Sequence, residues 1–157
     1  MLNRNIKRYY LLFFICSASL VANNYSLIFD GDDRVNIPDD SSLDLTTTGT
    51  ISAWIKPSTL TQETWGNIVA KTDNGSLGGN PAGLSYYLVW RQNDQVIRGQ
   101  ICNVTTTSNV SMDILDDMDW HHIAFTWDGS SMKIYLDGDL ESTSIQGITG
   151  AQSTSYN

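Results

Sequence analysis

Hydrophobic and polar residues alternate along much of this chain, most clearly between residues 120 and 138. Within 121–127, His121, Ile123, Phe125 and Trp127 alternate with His122, Ala124 and Thr126, and Asp-Gly follows at 128–129. A second alternating run, 132–136, ends in another Asp-Gly at 137–138. Period-two alternation bounded by Asp-Gly is typical of antiparallel strands with one buried face. The pattern therefore predicts an all-β protein.

The same criteria predict ten strands and no substantial helix, because no segment carries an apolar stripe of helical period over ten positions. The strands are expected near 26–29, 34–37, 50–56, 66–71, 85–91, 95–102, 108–112, 120–127, 132–136 and 139–144. Residues 73–83 form a long Gly/Asn-rich connection, and loops of this length are often functional or mobile. Asn93-Asp94 is expected to form a hairpin turn, and 113–119 an acidic connection.

Residues 1–22 have the features of a secretory signal peptide. Arg4, Lys7 and Arg8 precede an apolar run over 9–20 that is too short to span a bilayer as a helix. Ala22 is the preferred cleavage site and Ser19 a competing one, while an uncleaved membrane anchor is the alternative. We therefore expect one domain over 23–157, secreted to the extracellular space or cell surface, with the periplasm as another compartment.

Charge and cysteine content limit the partners. The formal net charge is −8, and it becomes about −11 once the three basic residues of the signal segment are removed. Such an acidic domain repels nucleic acid and anionic membrane surfaces, so neither nucleic-acid binding nor membrane insertion is expected. Cys16 lies in the signal segment, which leaves Cys102 without an internal disulfide partner.

Three ordered motifs resemble laminin-G-like, concanavalin-A-like lectin domains. The stretch 120–129 (WHHIAFTWDG) with Leu136-Asp137-Gly138 resembles their W-H-H-[VI]-A-[FV]-[TV]-[WY]-D-G…D-G signature. Residues 27–38 (LIFDGDDRVNIP) resemble their opening F-D-G-x-D-D-Y-V-x-I-P. Leu43-Asp44-Leu45 with 50–57 (TISAWIKP) resembles the segment that follows.

The resemblance implies an antiparallel β-sandwich, the concanavalin A-like jelly roll. It also implies later strands of the form [LV]-x-I-G and G-x-I-D-E, which nothing here matches, so we expect a domain that is incomplete at its C-terminal end. This architecture hosts lectins, glycosidases and adhesion domains, and the fold alone does not choose among them.

Catalysis is not expected from the acidic residues. Glycoside hydrolysis needs two carboxyl groups on either side of the scissile bond, and the glucanases of this fold place theirs on one strand. The chain has only Glu63 and Glu141, far apart, and the aspartates of 113–119 are typical of a solvated turn. We therefore predict a protein that is not an enzyme, with no catalytic residues.

Calcium is the favoured metal. His121 and His122 are adjacent on a strand and point to opposite faces, so they cannot easily share one metal ion, and structural roles are expected for both. Asp30, Asp32 and Asp33 lie in a turn dense in carboxylates and carbonyls, which suits a structural Ca²⁺. The alternative is an Asx turn that starts the next strand.

Carbohydrate binding is the favoured function. Trp54, Trp120 and Trp127 lie inside the family motifs and are expected in the core. The residues freer to meet a sugar, beside the 73–83 loop, are Trp65, Tyr87, Trp90 and Arg91. Cross-strand packing is the alternative role for these residues, and protein–protein adhesion within a larger secreted protein is the alternative function. A glycan or an extracellular protein is accordingly the expected partner.

Overall fold

The computed structural model describes residues 25–30, 33–60, 66–72, 84–103 and 107–145. The described residues contain one 3₁₀ turn, Ser41–Leu43, and eight strands. The strands are β1 Gly49–Ile55, β2 Gly66–Thr72, β3 Leu84–Arg91, β4 Val96–Cys102, β5 Thr107–Asp113, β6 His121–Trp127, β7 Met132–Leu136 and β8 Asp139–Ser144. Each coincides with a predicted strand, and the all-β prediction is confirmed.

The strands form two antiparallel sheets of four, as expected for a jelly-roll sandwich. Sheet 1 has the order β1-β6-β7-β8, and sheet 2 has the order β2-β3-β4-β5. Sheet 2 is built from consecutive strands, and its β3–β4 hairpin turns at residues 92–95, where Asn93-Asp94 was expected. In sheet 1, β1 pairs with the distant β6, so that Ile51 lies opposite Phe125.

The core lies between the two sheets and is made by every second residue of the central strands. Sheet 1 contributes Ile51, Ile123, Phe125, Trp127, Met132 and Ile134. Sheet 2 contributes Tyr86, Leu88, Trp90, Ile97, Ile101, Val110 and Met112. The alternation in the sequence thus selects which face of each strand is removed from water, and burial of these apolar side chains is the main stabilising contribution.

One close approach between the sheets requires glycine. Gly99 of β4 lies between the core residues Ile97 and Ile101, and the ring of Phe125 packs directly over it. A Cβ atom at position 99 would lie 2.3 Å from Cδ2 of that ring. Phe125 therefore occupies the space that a side chain at 99 would need.

The segment before β1 is anchored to sheet 2 by polar contacts. The Tyr86 hydroxyl donates a hydrogen bond of 2.8 Å to the carbonyl of Leu43. The ammonium of Lys71 on β2 forms ion pairs with Asp39, at 3.1 Å, and with Asp44. Because the Lys71 side chain is only 10% exposed, these two carboxylates supply its main charge compensation.

The prediction of strands near 26–29 and 34–37 is wrong. Residues 25–30 and 33–40 contain no strand. The part of the chain up to Asn36 is a unit separate from the one that begins at Ile37, and in it Ile28, Phe29 and Val35 are exposed. Alternation gives a segment an apolar face. A stable strand also needs a neighbouring strand with which to form hydrogen bonds, and alternation does not supply one. The 1–22 segment and the 73–83 loop lie outside the described residues. No described helix has the length and apolarity needed to cross a membrane.

Candidate functional site

Alternate residues of sheet 1 point away from the core and form its solvent side. On β1, Ile51 points into the core, which places Ser52 and Trp54 on the outside; β6 and β7 follow the same alternation. We call this surface the outer face of sheet 1, and on β1, β6 and β7 it consists of Thr50, Ser52, Trp54, His122, Ala124, Thr126, Lys133 and Tyr135.

Trp54 dominates this face. Its side chain is 66% exposed, which is unusual for the largest apolar residue of a strand. It lies opposite His122 on β6, and the two rings are 5.3 Å apart between centroids with an interplanar angle of 47°. The imidazole supports one side of the indole and leaves most of the ring open to solvent.

Small side chains surround the aromatic pair. Ser52 lies opposite Ala124, which in turn lies opposite Tyr135 on β7. With strands about 4.8 Å apart and about 3.3 Å of rise per residue, Trp54 and Tyr135 are separated by roughly 12 Å along a diagonal across Ala124. Small side chains therefore line the surface between the two aromatic residues.

The charge of this face differs from that of the chain. None of its eight residues is acidic and Lys133 carries the fixed positive charge, although the chain has 17 acidic residues. Thr50, Ser52 and Thr126 add hydroxyl groups. These hydroxyl groups can exchange hydrogen bonds with a hydroxyl-rich ligand.

A second cluster lies at the start of β6, where the His121 imidazole lies between two carboxylates. Its Nε2 is 2.8 Å from Oδ1 of Asp117, in the β5–β6 loop, and its Nδ1 is 2.8 Å from Oδ2 of Asp137, in the β7–β8 turn. Oδ1 of Asp137 also accepts the backbone N–H of His122 at 2.8 Å. The hydrogen bond that His121 donates to Asp117, and then the one it donates to Asp137, raise the pKa of His121.

The carboxylates of this cluster do not suit general acid catalysis. The hydrogen bond from His121 lowers the pKa of Asp117, and the backbone N–H of His122 lowers that of Asp137. A glycosidase acid must remain protonated near neutral pH, which requires a raised pKa. Asp117 and Asp137 are held in the opposite charge state.

Three of the four sequence-predicted sugar residues lie on sheet 2, and the structure does not place them on one surface. Trp90 is 4% exposed in the core, with its indole N–H donating to Gln92. Tyr87 lies on the other side of β3 and is also buried, which raises its pKa to about 12. Arg91 forms an ion pair of 2.8 Å with Asp94. Trp65 lies outside the described residues.

The expectation that Trp54, Trp120 and Trp127 are all core residues is wrong for two of them. Trp127 is buried, whereas Trp54 is 66% and Trp120 is 48% exposed. The alternation of Ile51, Ala53 and Ile55 already assigns Trp54 to the opposite face. The family motif specifies residue types but not the side of the sheet to which each residue points, so the motif alone led to the wrong assignment of Trp54.

The predicted calcium ligands form no recognisable site within the described residues. Asp30 and Asp33 are both exposed, and Asp32 lies outside the described part of the chain. Where the chain is described, no group of three or more His, Cys, Asp or Glu residues is arranged to hold a metal ion. The calcium hypothesis therefore continues to depend on the sequence pattern.

Comparison with known families agrees with this architecture. A laminin G model described as "Concanavalin A-like lectin/glucanases superfamily" matches residues 29–157. The search of curated proteins gave no match.

Proposed function

Because the chain belongs to the concanavalin A-like lectin/glucanase superfamily, we propose that it is a noncatalytic extracellular recognition module that binds carbohydrate on the outer face of sheet 1. Family membership supports a lectin-like or recognition role in general. The choice of carbohydrate as ligand and of this face as the site is our proposal, as is secretion after removal of 1–22.

The observation that carries the proposal is the exposed indole of Trp54. A tryptophan left 66% exposed on a sheet loses the stabilisation that burial would give, so a binding role explains it better than a packing role. An aromatic face is complementary to the C–H face of a pyranose ring, and the N–H and hydroxyl groups around it can bond the sugar hydroxyls. The His122 ring packs at a tilt against the Trp54 indole and holds it in place. This limits the side-chain entropy that Trp54 loses when a ligand binds.

The floor of the face supports an extended ligand. Ser52 and Ala124 are too small to obstruct a chain that leaves Trp54 and crosses toward Tyr135. The diagonal of roughly 12 Å between the two aromatic residues exceeds the size of a single sugar ring. We therefore expect oligosaccharides to bind more tightly than monosaccharides, with Trp54 as the first subsite and Tyr135 as the second.

The absence of catalysis is supported by the carboxylates that the structure describes. Asp117 and Asp137 share one imidazole, and both have lowered pKa values. Asp39 and Asp44, which also lie close together, are both ion-paired with Lys71. A binding surface that preforms its contacts needs no proton transfer, and its function is equilibrium recognition.

The proposal is tested on an array of neutral mono- to hexasaccharides, followed by calorimetric titration with the ligands retained. Trp54→Ala should abolish retention, and Tyr135→Ala should weaken long ligands more than short ones. Trp120→Ala is the matched control, because it removes another exposed indole that belongs to the β5–β6 loop and not to a strand of this face. Unchanged melting temperatures would show that the variants are folded.

Three outcomes would contradict parts of the proposal. Equal loss of binding in Trp54→Ala and Trp120→Ala would remove the outer face as the site. Binding that Tyr135→Ala leaves unchanged for every ligand length would remove the second subsite. No retention of any glycan would reject carbohydrate and favour the alternative, in which an exposed tryptophan anchors a protein interface.

A structural Ca²⁺ held by Asp30, Asp32 and Asp33 is a separate part of the proposal and is supported by the sequence pattern. Thermal unfolding in EDTA and in millimolar Ca²⁺ tests it, since an ion that binds only the native state raises the melting temperature. Asp30→Asn combined with Asp33→Asn should eliminate the rise, whereas Asp113→Asn should retain it. Identical curves in EDTA and Ca²⁺ would reject the site.

A further inference from the structure

The cluster at the start of β6 joins three elements that are separate in the sequence. Asp117 belongs to the loop 114–120, His121 is the first residue of β6, and Asp137 belongs to the turn between β7 and β8. Both ring nitrogens of His121 are 2.8 Å from a carboxylate oxygen. The imidazole is thus the only hydrogen-bonded link in this cluster between the loop and the turn.

Hydrogen-bond chemistry assigns a charge state to this arrangement. An ionised carboxylate only accepts hydrogen bonds, and neutral imidazole has one N–H donor and one acceptor nitrogen. A neutral His121 can therefore donate to Asp117 or to Asp137, but not to both. Both bonds form together only when the ring is the imidazolium cation, as long as the two carboxylates are ionised.

We propose that Asp117, His121 and Asp137 form a pH-sensitive latch, which fastens the β5–β6 loop to the β7–β8 turn when His121 is protonated and releases the loop when it is neutral. The latch does not depend on the ligand or on the proposed function. It is a property of the fold that acts at one end of the β6 strand.

The structure indicates which bond persists after deprotonation. Asp137 is anchored independently, because its Oδ1 accepts the His122 N–H and its backbone is fixed in the left-handed region, at φ 51°, within the Asp137-Gly138 turn. Asp117 is 50% exposed, and among the described residues its other hydrogen bond is to the N–H of Asp119, two residues away in its own loop. The neutral ring therefore keeps its Nδ1–H bond to Asp137 and loses Asp117.

The movement has a defined extent. Leu115 is buried and holds the beginning of the loop against the core, and β6 holds its end. Between them lie exposed residues that include Met118 and Trp120, each about half exposed. Release of Asp117 thus frees the segment 116–120 without opening the sandwich.

The pH range follows from the charged groups that contact His121, namely Asp117 from the loop and Asp137 from the turn. Their hydrogen bonds raise the pKa of His121 above 6.5, and His121 lowers the pKa of Asp117. The backbone N–H of His122 and then the His121 ring lower the pKa of Asp137. The latch is therefore closed when the pH lies above the lowered pKa values of the two aspartates and below the raised pKa of His121. It opens as the pH rises through the pKa of His121.

The latch is tested by NMR titration of the full chain from pH 5 to 9. In the wild type, the His121 ring should titrate above 6.5, and the amide resonance of Asp119, which donates to Asp117, should shift with the same midpoint. Asp117→Asn should return the His121 midpoint toward 6.5 and abolish the Asp119 shift. His121→Gln should also abolish that shift, and His122→Gln, whose ring contacts Trp54 instead, should retain it.

Two results would overturn the latch. One is a His121 midpoint at or below 6.5 in the wild type. The other is an Asp119 amide whose shift does not follow the His121 ring, which would show that the loop is held independently of the imidazole. Both measurements use the wild-type chain, so they remain decisive if a variant fails to fold.

Discussion

Adding one methyl group at Gly99 should destabilise the protein strongly, because the site is filled by an aromatic ring of the opposite sheet. A Cβ atom at position 99 would lie 2.3 Å from Cδ2 and 2.4 Å from Cγ of Phe125. Carbon atoms in contact prefer a separation of about 3.5–4.0 Å, so the ring or strand β4 would have to move by more than about 1 Å. Phe125 is fully buried, and Ile97 and Ile101 on either side leave it little room.

The expected magnitude follows from two opposing effects. Overpacking a close-packed core costs about 1–3 kcal/mol. Replacing glycine by alanine also restricts the unfolded chain, which offsets about 0.4–1 kcal/mol. Because the overlap with Phe125 exceeds about 1 Å, the overpacking cost should lie in the upper half of its range, about 2–3 kcal/mol. Gly99→Ala should therefore lower the free energy of unfolding by about 1–2.6 kcal/mol, measurable as a lower urea midpoint followed by tryptophan fluorescence.

A double-mutant cycle identifies the cause. Phe125→Ala alone should cost about 3–5 kcal/mol. In that background, Gly99→Ala should be neutral or stabilising, because the methyl group then enters a cavity. Gly138→Ala is the control. No atom lies within 4 Å of the added Cβ, and its cost comes from the backbone, whose φ is +97°. That cost should therefore not depend on Phe125. A Gly99→Ala penalty below about 0.5 kcal/mol, or one that persists without the Phe125 ring, would refute the reasoning.

Three further predictions concern polar groups. Tyr86→Phe removes the hydrogen bond to the Leu43 carbonyl and should lower the free energy of unfolding by about 0.5–1.5 kcal/mol, measured by urea denaturation; an unchanged midpoint would count against this anchor. Burial raises the pKa of Tyr87 to about 12 and also raises that of Tyr86, so ultraviolet titration should show late phenolates, of which Tyr87→Phe eliminates one. The N–H and hydroxyl groups of the 130–131 turn lower the pKa of Asp128, so its contribution to stability is present above its ordinary pKa and is lost as the pH falls through the lowered one. The melting temperature of Asp128→Ala should therefore be below that of the wild type at pH 7 and should approach it in acid; a difference independent of pH would contradict this.

Alternation predicted strands such as β5, β6 and β7 because these bury alternate residues, and burial of one face is what a period of two indicates. It could not predict that residues 26–29 and 34–37 would remain without strand structure, since pairing depends on a neighbour elsewhere in the chain. The same limit applies to His121. A structural role was expected for His121. Its carboxylate partners could not be predicted, because Asp117 precedes β6 in the sequence and Asp137 follows β7.

The binding surface was harder to predict than the fold. The family motif favoured Trp54 as a core residue, which left Trp90 as one of the freer tryptophans. The structure shows the reverse, because Trp90 faces the opposite sheet and Trp54 does not. Assigning a strand residue to the core or to solvent requires knowing which side the second sheet covers, and a single strand does not contain that information.

The pairing of β1 with β6 has a consequence for the order of folding. About 75 positions separate Ile51 from its partner Phe125, whereas about 10 separate paired residues in the β3–β4 hairpin, so closing the first contact costs roughly 2 kcal/mol more in chain entropy. We expect sheet 2 and the β6–β8 meander to form early and β1 to dock last, onto a β6 edge that is exposed until then. Pulsed hydrogen exchange during refolding should therefore protect the β1 amides after those of β3 and β4; simultaneous protection would contradict this order. Until β1 docks, the β6 edge is where two refolding chains would pair with each other, so aggregation should compete with this last step and increase with protein concentration.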